Sequence, residues 1–474
     1  MNYFKFNIIK KYLKPFKKEL LIGVLALLIV NILSVIIPLE VKNIIDQLQS
    51  DFSKNFIISK SLWLIFLATL MGIIRLSSRQ IVFGVGRKVE VKLRQKLFDH
   101  LLIQDPEWIE KIGSGDIIAR ATSDVENVRR LLGFTVLSLC NIILAYSLTI
   151  PSMFAINKTL TISSLLIFPI ILGIVGLFGG RMVNQRRLQQ EALSKLSDLI
   201  QEDLSGISAI KIYAQESSEY NQFNKFNKSY RNSAIKLART ASTLFPLLQG
   251  ISSISLLLLL ALGTSQLKSG FITIGGLVAL ILYVERLVFP TALLGFTINT
   301  FQLGQVSLDR IEEIFQSEPK IKNNKSNTKL KKGIKGLIEA RDLKISYENS
   351  RVNALDGIDF KILPGELVAI VGPVGCGKTT LAKALGRTID IPKEQLFIDN
   401  VDVKKIDLKY LRKNVAIVPQ EAFLFTSTIS ENLRFGDPKA SIDLVKTSAR
   451  KAGLNEDIIN FPKGYNTLVG ERGI

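Results

Sequence analysis

Residues 19–40 read ELLIGVLALLIVNILSVIIPLE, an uncharged run held between two carboxylates, Glu19 and Glu40. A bilayer core needs about 20 mostly apolar residues in a helix, and this stretch supplies them. It is too long for the apolar part of a cleaved export signal, and no small-residue cleavage site follows it. Further runs of the same kind lie at 62–85, 134–156, 160–178, 244–267 and 277–301. Six repeats at this length exclude buried core helices of a soluble protein and predict six spanning helices. The 474 residues leave room for two to four domains at about 100–200 residues each. Apolar residues make up 47% and charged residues 22%, an ordinary average that hides a split between an apolar first part and a C-terminal part patterned like a soluble enzyme. Intrinsic disorder is excluded. Cys140 and Cys376 stand in unrelated contexts and give no disulfide framework, and the single histidine, His100, gives no histidine-rich metal site.

The net charge of +20 is distributed unevenly. Lysines crowd the segment before the first run (Lys5, Lys10, Lys11, Lys14, Lys17 and Lys18). More cations fill the connections between runs two and three (Arg87 to Arg130) and four and five (Arg181 to Arg239), while the two later opposite connections hold only Lys158 and Lys268. By the positive-inside rule the N-terminus and the long connections are cytoplasmic, so the excess charge reports topology and anionic lipid. No aromatic-interleaved basic stripe points to nucleic acid. Residues 1–18 mix aromatics and aliphatics with lysines, the pattern of an amphipathic helix on the inner leaflet. The long connections are helical, with breaks at Asp105-Pro106 and Ser205-Gly206. They predict spans extended into hairpins with short elements at their tips. Glu285 and Arg286, adjacent in the sixth run, point either to the wall of a polar cavity or to a structural contact with another helix. As neighbours on a helix they face different ways. Pro290 is expected to kink or loosen that helix.

After a lysine-rich polar linker at 317–335, strands and helices alternate. Residues 336–345 and 358–362 read as strands, and 367–371 as a buried strand ending in a glycine-rich turn. That turn, Gly372-Pro373-Val374-Gly375-Cys376-Gly377-Lys378-Thr379, fits G-x-x-x-x-G-K-[ST] and is followed by a helix opening on Thr379-Thr380. Glycines let successive backbone N–H groups converge on phosphate oxygens, and the helix N-terminus adds its positive end. Lys378 is placed for the β- and γ-phosphates and the Thr379 hydroxyl for Mg²⁺. Cys376 fills a variable loop position.

With six spans before it, this loop makes the chain resemble a half-transporter of the ATP-binding cassette (ABC) superfamily, of the exporter type. The resemblance runs nearly end to end: PLEVKNIID after the first span, GDIIARATSDVENV and LSGISAIKIYAQE in the hairpins, LGQVSLDRIEEIF after the sixth span, then LKISYEN, LRKNVAIVPQ, FLFTSTISENLRFG and GYNTLVGERG. It implies a type-1 transmembrane domain at 19–316 and a P-loop nucleotide-binding domain of α/β class at 336–474. ATP would be held at 372–380, with Tyr347 stacked on adenine and Gln420 contacting Mg²⁺ or the attacking water. Residues 115–120 and 206–213 resemble the coupling helices that dock on nucleotide domains, and 467–473 the segment that meets such a tip from the other subunit. The implied partners are a second half-transporter, lipid and an amphiphilic cargo, and the implied place is the plasma (inner) membrane.

The signature motif, the Asp-Glu strand and the switch histidine of that family do not occur in the sequence. No complete set of catalytic residues is therefore present. The reading expects a fragment of an exporter roughly 100 residues longer, with hydrophobic strands left unpaired. Two functions follow from it: ATP-driven outward transport as half of a dimer, or a non-hydrolysing membrane protein that binds nucleotide weakly or only pairs with an intact partner.

Overall fold

The computed structural model describes residues 6–48, 53–323, 333–347, 350, 352–420 and 423–470. Lys5, linker residues 324–332 and the end of the 467–473 segment lie outside them. The chain divides into two compact units. The first comprises Met1–Gln104 and Trp108–Glu318, the second Asp105–Glu107 and Pro319–Ile474.

The first unit is helical. Its long rods are α1 (Lys17–Leu48), α2 (Lys54–Leu102), α3 (Val136–Ile156), α4 (Ile167–Ser205), α5 (Glu216–Lys268) and α6 (Ile274–Gln316). Six helices are long and apolar enough to cross a membrane, one through each of the six apolar runs. At about 1.5 Å per residue, the 53 residues of α5 extend about 80 Å, far more than the hydrocarbon thickness. The spans therefore continue beyond the apolar runs. The breaks fall where the sequence puts them: α2 stops at Leu102 before Pro106 opens the next short helix, and α4 stops at Ser205 before Gly206. Pro290 lies inside α6 without ending it, although its ring removes one ladder donor.

One apolar core joins α3, α4, α5 and α6 around Met153, Ile171, Leu259, Leu280, Tyr283 and Leu287, all with essentially no exposure. Tyr283 satisfies its hydroxyl by donating to the Val35 carbonyl (2.6 Å). A second core gathers Phe16, Val85, Leu93, Leu97, Leu132 and Ile311. Here the helix Phe6–Leu13 is tied to the far end of α6. Lys11 Nζ donates to Glu312 Oε1 at 3.1 Å, and the Tyr12 hydroxyl donates to the same carboxylate, which is buried.

The second unit holds a sheet of order β2-β1-β3-β4, with β1 (Ile338–Ile345), β2 (Leu355–Ile362), β3 (Leu396–Ile398) and β4 (Val401–Asp402), all neighbours antiparallel. The strands expected at 336–345 and 358–362 are present as β1 and β2. Beneath the sheet, Leu343, Leu355, Leu396, Ile406 and Leu411 form a core with Ala384 of helix α7 (Lys378–Leu385). The expectation for 367–371 is corrected. This segment forms no strand, and Leu367 and Val371 are 100% and 89% exposed. A strand needs a lateral partner for its N–H and C=O groups, and no described segment pairs with this one. Farther on, Thr428 and Glu431 close a capping box on a short helix. The Ser427 hydroxyl and the Thr428 backbone hold the Glu431 carboxyl below its usual range. That cap is complete at neutral pH and is lost as pH falls through the lowered value.

Removing the buried anchor of the N-terminal helix tests the packing. Glu312→Ala is expected to release Phe6–Leu13 and to speed tryptic cleavage after Lys10 and Lys11 about tenfold, a loss of roughly 1–1.5 kcal/mol. An unchanged cleavage rate would show that the carboxylate holds nothing.

Candidate functional site

Positive φ angles build the phosphate-loop segment. Gly375 and Gly377 sit at φ +85° and +95°, a region that residues with a Cβ rarely occupy. A Cβ on Gly377 would lie 2.4 Å from the Ala354 carbonyl oxygen and 2.6 Å from the Leu355 side chain, so the loop is closed tightly against the start of β2. Gly377 is the N-cap of α7 and offers no side-chain acceptor, which leaves the first N–H groups of the helix open to an external one. Lys378 arches back over its own loop. Its Nζ donates to the carbonyls of Gly372 and Pro373, each at 2.8 Å, and lies 3.6 Å from Cys376 Sγ. Among the described residues it pairs with no carboxylate. A cation held only by carbonyl dipoles keeps its charge available to an incoming anion.

The structure brings Tyr347 to this loop. Its hydroxyl and Thr380 Oγ1 are 3.1 Å apart, and Thr380 is buried while Tyr347 is half-buried against the core of the unit. Pro373, Val374, Cys376 and Thr379 are exposed. Gln420 stands in solvent at the end of a stretch without regular secondary structure, and its side chain makes no hydrogen bond among the described residues.

In the first unit, Glu285 and Arg286 face different cavities, as adjacent helical residues should. Glu285 borders a cavity of about 380 Å³ between α5 and α6, near Gln249, Ser252 and Ser253. Arg286 borders one of about 400 Å³ enclosed by α1, α2, α3 and α6. Its Nη1 donates to Thr149 Oγ1 at 2.9 Å and its Nη2 to Asn31 Oδ1 at 2.8 Å. Sequence reasoning overlooked Arg75 and Arg79, which line the same cavity. Their signal was visible as two arginines one turn apart inside the 62–85 run.

The comparison with protein-family models places this geometry. Residues 20–291 match the ABC transporter transmembrane region, and residues 355–468 match the ABC transporter domain that carries the phosphate loop.

The chain belongs to the ABC transporter family.

Among curated relatives, the multidrug resistance-like ATP-binding protein MdlA of Buchnera aphidicola subsp. Baizongia pistaciae is 31% identical over 459 residues, covering 96% of this chain and 79% of the relative. The putative multidrug export ATP-binding/permease protein YgaD of Bacillus subtilis is 29% identical, covering 99% and 82%. Escherichia coli MdlA is 27% identical, covering 96% and 77%. This ABC transporter is thus a multi-pass membrane protein with an ATP-binding domain, of the half-transporter exporter type.

Two further features of the transporter lie at the ends of its hairpins. In the first hairpin, Arg120 donates to Asp116 Oδ2 at 2.7 Å and to Glu313 Oε2 at 2.9 Å, and Arg310 pairs with Asp116 and Asp124. This network fixes Ser114–Ala119 against the far end of α6. In the second, Ile207–Ile212 is exposed together with Tyr213, whose side chain is 73% accessible.

The closure of the loop on Gly377 has a direct consequence. Gly377→Ala should destabilise the second unit by about 1–3 kcal/mol, through strained φ and the clash with Ala354. Limited proteolysis beside Gly436→Ala, where a Cβ meets nothing within 4 Å, measures it. Equal resistance of the two variants would show that the loop is not closed in this way.

Proposed function

We propose that this chain is one half of a dimeric ABC exporter that uses ATP to move an amphiphilic small molecule, drug or lipid outward. The observation that carries the reading is the joining, in one chain, of six helices able to span a membrane and an ABC domain with a glycine-cradled phosphate loop. The multidrug wording of the relatives' names supports an amphiphilic cargo. The lysine and arginine distribution supports a cytoplasmic N-terminus and nucleotide domain in the plasma (inner) membrane. The domains run 1–18 for the amphipathic helix, 19–316 for the membrane domain, 317–335 for the linker and 336–474 for the nucleotide domain. The second half is a copy of this chain or a related one.

In this reading residues 372–380 bind the phosphates, with Lys378 leaving its two loop carbonyls for the β- and γ-oxygens. Tyr347 offers a ring to adenine, which needs no base-edge contact. The donor set also suits Mg²⁺, a hard cation that takes oxygen ligands. The Thr379 hydroxyl and the Gln420 amide oxygen are exposed, and no other described side chain engages them. When bound, the metal neutralises phosphate charge. The tips at 115–120 and 206–213 act as coupling helices, and the exposed Ile212 and Tyr213 supply apolar surface for docking.

ATP titration of the purified full chain tests the site. Lys378→Ala is expected to weaken ATP binding at least about tenfold by loss of a charge-assisted contact, and Tyr347→Ala several-fold by loss of stacking. Unchanged affinity in Lys378→Ala would remove the loop from nucleotide binding. Vanadate-sensitive hydrolysis by the same preparation, absent in Lys378→Ala, would exclude the reading of a non-hydrolysing partner.

A further inference from the structure

We propose that the cavity between α1, α2, α3 and α6 is a headgroup site for an anionic amphiphile, a phosphate or carboxylate on a hydrocarbon chain, held by Arg75, Arg79 and Arg286. Calling this ligand the cargo rests on the export reading; the site itself does not.

The cavity, of about 400 Å³, is lined by three arginines and no carboxylate. Its remaining surface is mostly apolar, from residues such as Leu27, Val30, Phe83, Phe134, Leu137 and Phe289. That combination of a concentrated positive charge with hydrocarbon walls matches a ligand with an anionic end and an apolar body.

The three guanidinium groups stand inside apolar runs. Arg75 lies ten residues from the end of the 62–85 run, about 15 Å along a helix and so near mid-depth. Arg286 lies nine residues into the 277–301 run, about 14 Å along. An arginine at the centre of a spanning helix is costly to insert, and such residues ordinarily find a counter-charge. None of the three makes an ion pair among the described residues. Arg75 and Arg79 are one turn apart on the same helix, where like charges repel. The nearest carboxylate in sequence to Arg286, Glu285, borders the other cavity.

Arg286 is nonetheless held in position. Thr149 Oγ1 and Asn31 Oδ1 accept from its two terminal nitrogens, at 2.9 and 2.8 Å. Asn31 is fixed in turn by donating to the Leu27 carbonyl at 2.9 Å and to Asn141 Oδ1 at 3.2 Å. All these partners are neutral, so they orient the guanidinium without cancelling its charge. Arg75 only grazes Ser34 Oγ and Met71 Sδ, both at 3.5 Å, and Arg79 makes no hydrogen bond among the described residues. One oriented cation and two that meet no anion among the described residues, around a cavity lined by no carboxylate, suit a ligand with a negatively charged end.

The test uses the full chain in nanodiscs of zwitterionic lipid, titrated with dodecyl phosphate, with dodecyltrimethylammonium as the cationic match, and with inorganic phosphate. Dodecyl phosphate is expected to bind at least about tenfold tighter than either control. The double variant Arg75→Gln/Arg79→Gln should lose about tenfold or more of that affinity while its ATP affinity stays unchanged, and the corresponding double lysine variant should recover most of it. Arg79→Gln alone, at a position without a hydrogen bond, should weaken binding in the same direction if the double variant fails to fold. Equal affinity for the anionic and cationic amphiphiles, or unchanged binding in Arg79→Gln, would overturn the proposal. Repeating the titration in nanodiscs that contain anionic phospholipid separates the sources. Competition assigns the site to a bilayer lipid headgroup, and no competition to an amphiphile arriving from solution. If dodecyl phosphate binds with this selectivity but ATP drives no movement of it, the export reading fails and the site stands. If ATP-driven movement occurs without the selectivity, only the site fails.

Discussion

A bilayer core offers no water to a peptide N–H or C=O, and that single restriction shapes the whole first unit. Each backbone group must find its partner inside its own helix, which is why the apolar runs appear as long helical rods, the fourth stepped once at Leu166 between Lys158–Leu165 and α4. Pro38, Pro151 and Pro290 lie within rods without ending them. Once a rod has formed, extending it past the hydrocarbon costs little, because propagation adds a hydrogen bond for each residue fixed. Helices of 49, 53 and 43 residues follow from this, and they carry short tip elements well beyond the apolar runs.

The second organising theme is positive charge without a matching negative one. In the ATP-binding unit, Lys378 rests on carbonyl oxygens, and the N-terminus of α7 lacks a side-chain cap. In the membrane unit, Arg286 rests on Thr149 and Asn31, while Arg75 and Arg79 have no anion near them. Both arrangements contrast with the hairpin end of α6. There Arg120 and Arg310 are met by Asp116, Asp124 and Glu313, and the charges serve packing. Pairing separates structural cations from those that await a ligand, and only the three-dimensional arrangement reveals it.

Much of this was legible in the sequence. The run at 19–40 and its five successors predicted the spanning helices, and Pro106 and Gly206 marked the breaks, because length, apolarity and backbone chemistry are local properties. The loop at 372–379 was equally plain, since its glycines answer a backbone demand visible at Gly375 and Gly377. The strand expected at 367–371 was misread for the opposite reason. Apolar residues such as Leu367 and Val371 declare a wish for burial, but a strand exists only when another segment supplies its ladder. The cavity arginines were missed because attention went to the adjacent pair Glu285 and Arg286. Helical geometry sends those two into separate cavities and brings Arg286 to Arg75 and Arg79 from a different helix.

In the proposed function, ATP bound in the soluble unit drives movement of a molecule through the membrane unit. Inside-out vesicles containing the full chain measure this most directly, through accumulation of a radiolabelled amphiphile with and without ATP. Accumulation should require ATP, stop with Lys378→Ala and survive collapse of the proton gradient. Accumulation of the same size without ATP, or in vesicles carrying Lys378→Ala, would contradict it.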